Sequence, residues 1–118
     1  DRGEEAAKEY LESLGQTVLE RNWTSGHLEV DIITLDEGGL HFVEVKSRTA
    51  PISAQPQENI TSLKQQRLCR AARKYVSTCA GGRFGGDVEI LFDVVTVIFN
   101  EGEMEIEYYP QAFIPIYV

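Results

Sequence analysis

Glu44, Lys46 and Arg48 are the residues whose types and spacing point most directly to chemistry. They lie in His41-Phe-Val-Glu-Val-Lys-Ser-Arg48, where strict alternation puts Phe42, Glu44, Lys46 and Arg48 on one face of a strand. His41, Val43, Val45 and Ser47 fall on the other face. A strand rises about 3.3 Å per residue, so the Cα atoms of Glu44 and Lys46 are expected roughly 7 Å apart with both side chains pointing the same way. A phosphate, a metal ion or a water fits between such groups.

The preceding segment, Leu28-Glu-Val-Asp-Ile-Ile-Thr-Leu35, also reads as a strand, and Asp36-Glu37-Gly38-Gly39 reads as the turn between the two. An even-length loop, either Glu37-Gly38 or all four residues, sets Asp31 opposite Glu44 and Glu29 opposite Lys46. Three carboxylates then converge on one lysine. Two carboxylates about 4 Å apart repel by roughly 4 kcal/mol at an effective dielectric near 20. That repulsion is relieved by protonation, by Lys46 and Arg48, or by a divalent cation. An Asp and a Glu with hard oxygens and open positions suit Mg²⁺ or Mn²⁺. The competing reading is an exposed antiparallel strand with ordinary Glu/Lys pairs, and the aligned Asp31 is what disfavours it.

The elements around these strands must hold them in place. The 118 residues, 42% hydrophobic and 25% charged, are those of one soluble globular domain, residues 1–118, with one core. No apolar run approaches the ~20 residues needed to span a membrane, and no signal peptide is visible, so a cytoplasmic protein with no membrane partner is expected. Cys69 and Cys79 fall ten residues apart in one predicted helix, about 15 Å and beyond disulfide reach. They read as buried or half-buried free thiols. His41, on the face opposite Glu44, reads as structural, and His27 as polar surface near the site.

Residues 3–14 carry an apolar stripe of Ala6, Ala7, Tyr10, Leu11 and Leu14, with Asp1 as cap, Glu4 and Glu5 at the positive helix end and Gly15 as stop. A first strand is expected over 16–23. Residues 49–58, with Pro51 and Pro56, read as a loop beside the site. A second helix is expected from Asn59 or Thr61 to Thr78, with Leu68, Cys69, Ala72, Tyr75, Val76 and Cys79 on one arc and Lys64, Arg67, Arg70 and Lys74 on another. Residues 81–86 are glycine-rich but lack the helix start of a phosphate-cradling loop. Residues 87–99 form a long strand with Ile90, Phe92, Val94, Thr96 and Ile98 on one face. Asp93 on the other face is expected either at an edge or beside a core arginine or lysine. A turn at 100–103 leads to an acidic strand, 104–109, facing water.

The formal net charge of −8 argues at first against a polyanionic partner. Its distribution reverses that impression. Residues 1–44 hold 3 basic and 11 acidic side chains, 45–86 hold 8 basic and 1 acidic, and 87–118 hold 7 acidic and none basic. A single-sign helix arc inside the cationic third suits a phosphate backbone, with a merely solvated face as the alternative.

Taken together, Gly3-Glu-Glu-Ala-Ala7, Tyr10-Leu11, Gly15, Arg21-Asn-Trp23, Gly26-His27, Glu29-Val-Asp-Ile-Ile33, Phe42-Val-Glu-Val-Lys-Ser-Arg48, Pro56-Gln-Glu58, Lys64, Arg67-Leu68, Ala71-Ala72, Tyr75 and Phe92-Asp-Val-Val95 closely resemble the YraN family of small bacterial endonuclease-like proteins. They cover nearly the whole chain in order. That family resembles the PD-(D/E)xK, or restriction-endonuclease-like, superfamily, with Holliday-junction resolvases among its nearest relatives in shape. The resemblance implies an α/β fold with a central mixed β-sheet of about five strands flanked by helices, one or two Mg²⁺ or Mn²⁺ ions, and DNA as substrate.

By the same resemblance Asp31 and Glu44 are the motif carboxylates, holding metal with the Val45 carbonyl. Lys46 is the motif lysine, and Glu4 the helix glutamate that joins the site in resolvase-like relatives. Lys64 and Arg67 match the family's basic helix signature; with Arg48, Arg70 and Lys74 from the strand and helix patterns they are expected to track the phosphate backbone, and Glu29, set opposite Lys46 by the register, to support the site from outside. Gln66 departs from a usual arginine, and His27-Leu28 extend the usual turn. Symmetric cutting needs two active sites, which leaves room for a homodimer. The alternatives are a non-catalytic nucleic-acid-binding module on the same fold, or an interaction protein that dimerises through the acidic hairpin at 99–109.

Overall fold

A computed structural model describes residues 1–51, 60–78, 84 and 87–114. Helix α1 (Arg2–Ser13) starts where the Asp1 carboxylate accepts the Glu4 N–H at 2.8 Å. It buries Gly3, Ala7 and Leu11. Leu14, expected in the apolar stripe, is instead 50% exposed, because the helix ends one residue earlier and Gly15 turns the chain at φ +92°.

Strands β1 (Thr17–Ser25), β2 (Leu28–Asp36) and β3 (Gly39–Thr49) follow as an antiparallel meander. Helix α2 (Ser62–Ser77) then crosses over to β4 (Ile90–Asn100), which pairs parallel with β3, and β5 (Glu103–Tyr109) returns antiparallel at the edge. The result is a five-stranded mixed sheet in the order β1-β2-β3-β4-β5, consistent with a restriction-endonuclease-like fold. The expected strand start at 87 moves to Ile90. Proposals for the 49–58 loop and the 81–86 connection fall largely outside the described residues, as does Cys79; Cys69 is buried.

Alternation along β3 and β4 divides the core as expected. Phe42 and Phe92 pack under α2 with Leu68, Ala72 and Tyr75, and Val43, Val95 and Val97 pack under α1 with Ala7 and Leu11. On β2 the alternation breaks. Val30 and Ile33, three residues apart, both belong to the α2 side, while Ile32 between them belongs to the α1 side. The break falls at Asp31. On β1 it is matched by Asn22, which lies in the left-handed region at φ +51° between the pairs Arg21–Ile32 and Trp23–Val30.

Polar groups buried on the α1 side form one connected chain. His41 Nδ1 meets Asp93 Oδ2 at 2.6 Å and its Nε2 meets Asp36 Oδ1 at 2.8 Å. Tyr108 donates to the same Asp93 oxygen, and Gln16 donates to the Tyr108 hydroxyl at 3.0 Å and accepts from Thr34. The Gln111 N–H reaches the other Asp93 oxygen at 2.9 Å. His41 is thus structural, as expected. Asp93 lies on an interior strand and, among the described residues, pairs with no arginine or lysine; its partner is His41 on the neighbouring parallel strand. Burial alone would lower the His41 pKa, but hydrogen bonds to Asp93 and Asp36 outweigh it and hold the value above the ordinary range.

Candidate metal and phosphate site

The register between β2 and β3 is the one an even two-residue turn at Glu37-Gly38 demands, running from Asp36–Gly39 to Ile32–Val43. There the ladder stops. The next residue, Asp31, uses its carboxylate in place of a backbone acceptor: Oδ2 takes the Val45 N–H at 2.8 Å. A side chain inserted between two strands drives them apart, and the departure coincides with the break in alternation on β2. Asp31 and Glu44 therefore meet at the mouth of a fork.

Asp31 is half-buried, and its pKa is raised to about 6. Burial is the main cause, opposed by the Val45 N–H; the Glu44 and Glu4 carboxylates raise it further and Lys64 lowers it. Glu4, in the first turn of α1, is thus near enough for its charge to be felt at Asp31. Gly3 sets that distance: a Cβ there would lie 2.3 Å from Ser47 Oγ, so the helix start rests directly on β3.

Glu44 is 14% exposed at its side chain and pairs through Oε2 with Lys64 Nζ at 3.0 Å. Lys46 shares the Glu44 face, and its pKa lies below the ordinary value. Burial is the largest cause, Arg48 and Lys64 add to it, and Glu44 opposes it. Arg48 is half-buried and donates to its neighbour's carbonyl, Ser47 O, at 3.1 Å.

Glu29 does not fit its expected role. It pairs with Thr24 across the β1–β2 hairpin and is exposed, because the fork carries β2 away from β3 before Glu29 can come opposite Lys46. Of the three carboxylates expected around the lysine, Glu29 thus stands apart from Asp31 and Glu44.

Arg67, Arg70 and Lys74 are exposed on α2, as expected of a basic face, and Arg73 is exposed with them. Lys64 departs from that face and turns in to Glu44. Sequence reasoning passed over Arg73, which lies off the counted arc, and Thr96. The latter pairs with Lys46 across the parallel ladder and is fully buried, and its hydroxyl has no hydrogen-bond partner among the described residues. A lone hydroxyl on the otherwise apolar Phe92, Val94 and Ile98 face was the available signal.

The donor set suits a small hard cation. Among the described residues no group of three or more His, Cys, Asp or Glu forms a closed metal cage. Mg²⁺, however, is commonly held by one or two carboxylates, with waters and substrate oxygens completing the shell. Asp31 and Glu44 are adjacent, and the ionised form of Asp31 is disfavoured by burial and by like charge. A divalent ion would remedy that deficit of positive charge.

The model of the uncharacterised protein family UPF0102 matches residues 3–97, which include the whole fork. The chain belongs to that family. UPF0102 is the YraN family of the sequence resemblance. A UPF0102 protein of Bacteroides thetaiotaomicron is 41% identical over 113 residues, spanning 96% of this chain and 89% of its own length. UPF0102 proteins of Anaeromyxobacter dehalogenans, 39% identical over 111 residues, and Chlorobaculum parvum, 38% identical over 118, cover 94% and 95% of this chain and 80% and 88% of their own. UPF0102 membership thus extends over the forked strands, α1 and α2 together. No helix among the described residues of this UPF0102 chain is long and apolar enough to cross a membrane.

Proposed function

We propose that this UPF0102 protein is a divalent-metal-dependent nuclease of the cytoplasm, hydrolysing phosphodiester bonds of DNA, with branched or repair intermediates as the substrates its resolvase-like resemblance favours. The observation that carries the reading is the fork: a half-buried Asp31 beside Glu44, with Lys46 on the Glu44 face.

Asp31 and Glu44, with the Val45 carbonyl, would hold Mg²⁺ or Mn²⁺, which when bound supplies Lewis-acid polarisation of a phosphoryl oxygen and a more acidic water. The Val45 N–H holds Asp31 at one oxygen, and the second would be the ligand offered to the cation. Lys46, its ammonium held below the ordinary pKa, orients the attacking water and stabilises charge developing on the phosphoryl oxygens. Glu4 contributes negative charge from the α1 side and can order a further water or ion. Arg48 extends the cationic edge along β3. Arg67, Arg70, Arg73 and Lys74 bind the phosphate backbone without reading sequence.

The second reading, a nucleic-acid-binding module that does not cut, is favoured by one specific observation: the exposed cations of α2 do not depend on the fork for their position. A panel of branched, flapped, single-stranded and duplex DNA with Mg²⁺ or Mn²⁺ separates the two. Cleavage by wild type that is lost in Asp31→Asn and Lys46→Ala supports the nuclease. Salt-sensitive binding without cleavage supports the module, and equal residual cutting by all three proteins sinks the nuclease reading as contamination.

A further inference from the structure

Lys64 differs from every other cation of α2. It lies about 20° from the buried Tyr75 around the helix axis, whereas Arg67, Lys74 and Arg70 lie roughly 80–140° from it. The Thr61 side chain caps the helix by accepting the Lys64 N–H at 3.2 Å, which fixes the Lys64 backbone at the start of α2. From there the side chain, 40% exposed, descends to Glu44 Oε2 at 3.0 Å. One oxygen of each fork carboxylate is therefore already committed, Asp31 Oδ2 to the Val45 N–H and Glu44 Oε2 to an ammonium. The first is a backbone bond and stays. The second is an ion pair between a long side chain and a carboxylate, and it can be exchanged.

We propose that Lys64 is a resident counter-cation, seated on Glu44 in the resting protein and displaced by the divalent ion, after which its ammonium is free to take a phosphate oxygen of the substrate. The proposal rests on the metal-dependent reading above. A unit positive charge within about 4 Å of a divalent ion is repelled by roughly 8 kcal/mol at an effective dielectric near 20, so ion and ammonium do not share Glu44 at close range. A phosphate reverses that sign. An ammonium has three donors and a flexible four-carbon stem, so it can follow the charge from carboxylate to phosphate without moving the helix. The exchange couples the two ligands: substrate that holds Lys64 away from Glu44 strengthens metal binding, and metal strengthens substrate binding by the same factor. A lysine that was only a static brace between α2 and β3 would couple nothing.

Calorimetric titration with Mn²⁺, in the absence of DNA, is compared for wild type, Lys64→Met, Lys46→Met and Glu44→Gln. Lys64→Met is expected to bind Mn²⁺ about 10-fold more tightly than wild type, with Lys46→Met gaining no more than about 3-fold from loss of general positive charge. Glu44→Gln is expected to lose most of the binding. On the unmutated protein, limited acylation read by peptide mass spectrometry follows Lys64 against Lys8, which is paired with Glu5 and Glu12 on α1. Saturating Mn²⁺ is expected to raise the Lys64 to Lys8 ratio several-fold. Equal Mn²⁺ affinity in wild type and Lys64→Met, with an unmoved acylation ratio, overturns the exchange while leaving the metal site standing. Absence of Mn²⁺ binding by wild type and by Lys64→Met overturns both.

Discussion

The Asp31 carboxylate accepts the backbone N–H of Val45 at 2.8 Å, taking the place that a β2 carbonyl would hold if the strands stayed paired. This bond falls where the β2–β3 ladder ends, and it engages one of the two Asp31 oxygens. It also forces a carboxylate into partly dry surroundings beside Glu44.

The first prediction concerns stability. With its native pKa raised to about 6 from 3.8, Asp31 keeps a proton in the folded state that the unfolded chain has released. Stability contributed by this group therefore falls as pH rises from about 4 to about 6, and the full penalty stands above that window. Asparagine retains the acceptor for Val45 and removes the charge. Asp31→Asn should be more stable than wild type by about 2–3 kcal/mol at pH 7.5, and the difference should vanish near pH 3.5. Urea denaturation at both pH values measures it.

Catalysis should suffer where stability gains. Glu44→Gln and Lys46→Ala remove the proposed cation ligand and the group proposed to orient the water, and each should lower Mg²⁺-dependent cleavage by about 10²-fold or more. Single-turnover rates with saturating protein would separate that loss from weakened DNA binding.

His41 carries a stabilising charge of the opposite sign. Its pKa is raised in the native state, so its contribution is complete below the unfolded value of 6.5 and is lost as pH rises through the native one. His41→Ala also leaves the buried Asp93 without its cationic partner, with the Tyr108 hydroxyl and the Gln111 N–H as its remaining donors among the described residues. The variant should lose about 3–5 kcal/mol at pH 6. Chemical denaturation should find a smaller loss at pH 9.

Binding to duplex or branched DNA should depend on Arg67 and Arg70 without regard to sequence. Each Arg→Ala change is expected to weaken binding uniformly and to reduce the slope of log K against log salt by about one. Fluorescence anisotropy over a salt series gives both quantities.

Gly39 tests the turn that sets the register. It sits at φ +141°, and a Cβ there would lie 2.4 Å from the Glu89 carbonyl oxygen, the same oxygen that accepts the Leu40 N–H at 2.8 Å. Gly39→Ala should cost about 2–4 kcal/mol, visible as a fall in Tm.

Periodicity made the elements of this fold legible, and the two-residue turn made the β2–β3 register legible, because a hairpin loop and an alternating pattern constrain each other. The faces of β3 and β4 followed from the same rule. Glu29 was misplaced because alternation assumes that a ladder continues, and nothing local to Glu29 announces that Asp31 will enter it with a side chain. Asn22 was the nearest signal, since Asn tolerates the left-handed region. Asp93 found a histidine where an arginine or lysine was expected, because the parallel pairing that brings β4 beside β3 spans the whole α2 crossover and leaves no local pattern. Lys64 was placed on one helix arc with Arg67, Arg70 and Lys74, although its angle to Tyr75 sets it at the end of that arc, on the margin of the buried one.

The hairpin that joins Asp31 to Glu44 also bears on the order in which the molecule assembles. Asp31 and Glu44 are joined by a hairpin and approach each other early, since closing a short loop costs little entropy. Lys64 arrives only with α2, which follows the hairpin in the chain and packs on Val30, Ile33 and Phe42 within it. The chain therefore gathers its like charges first and their counter-charge afterwards.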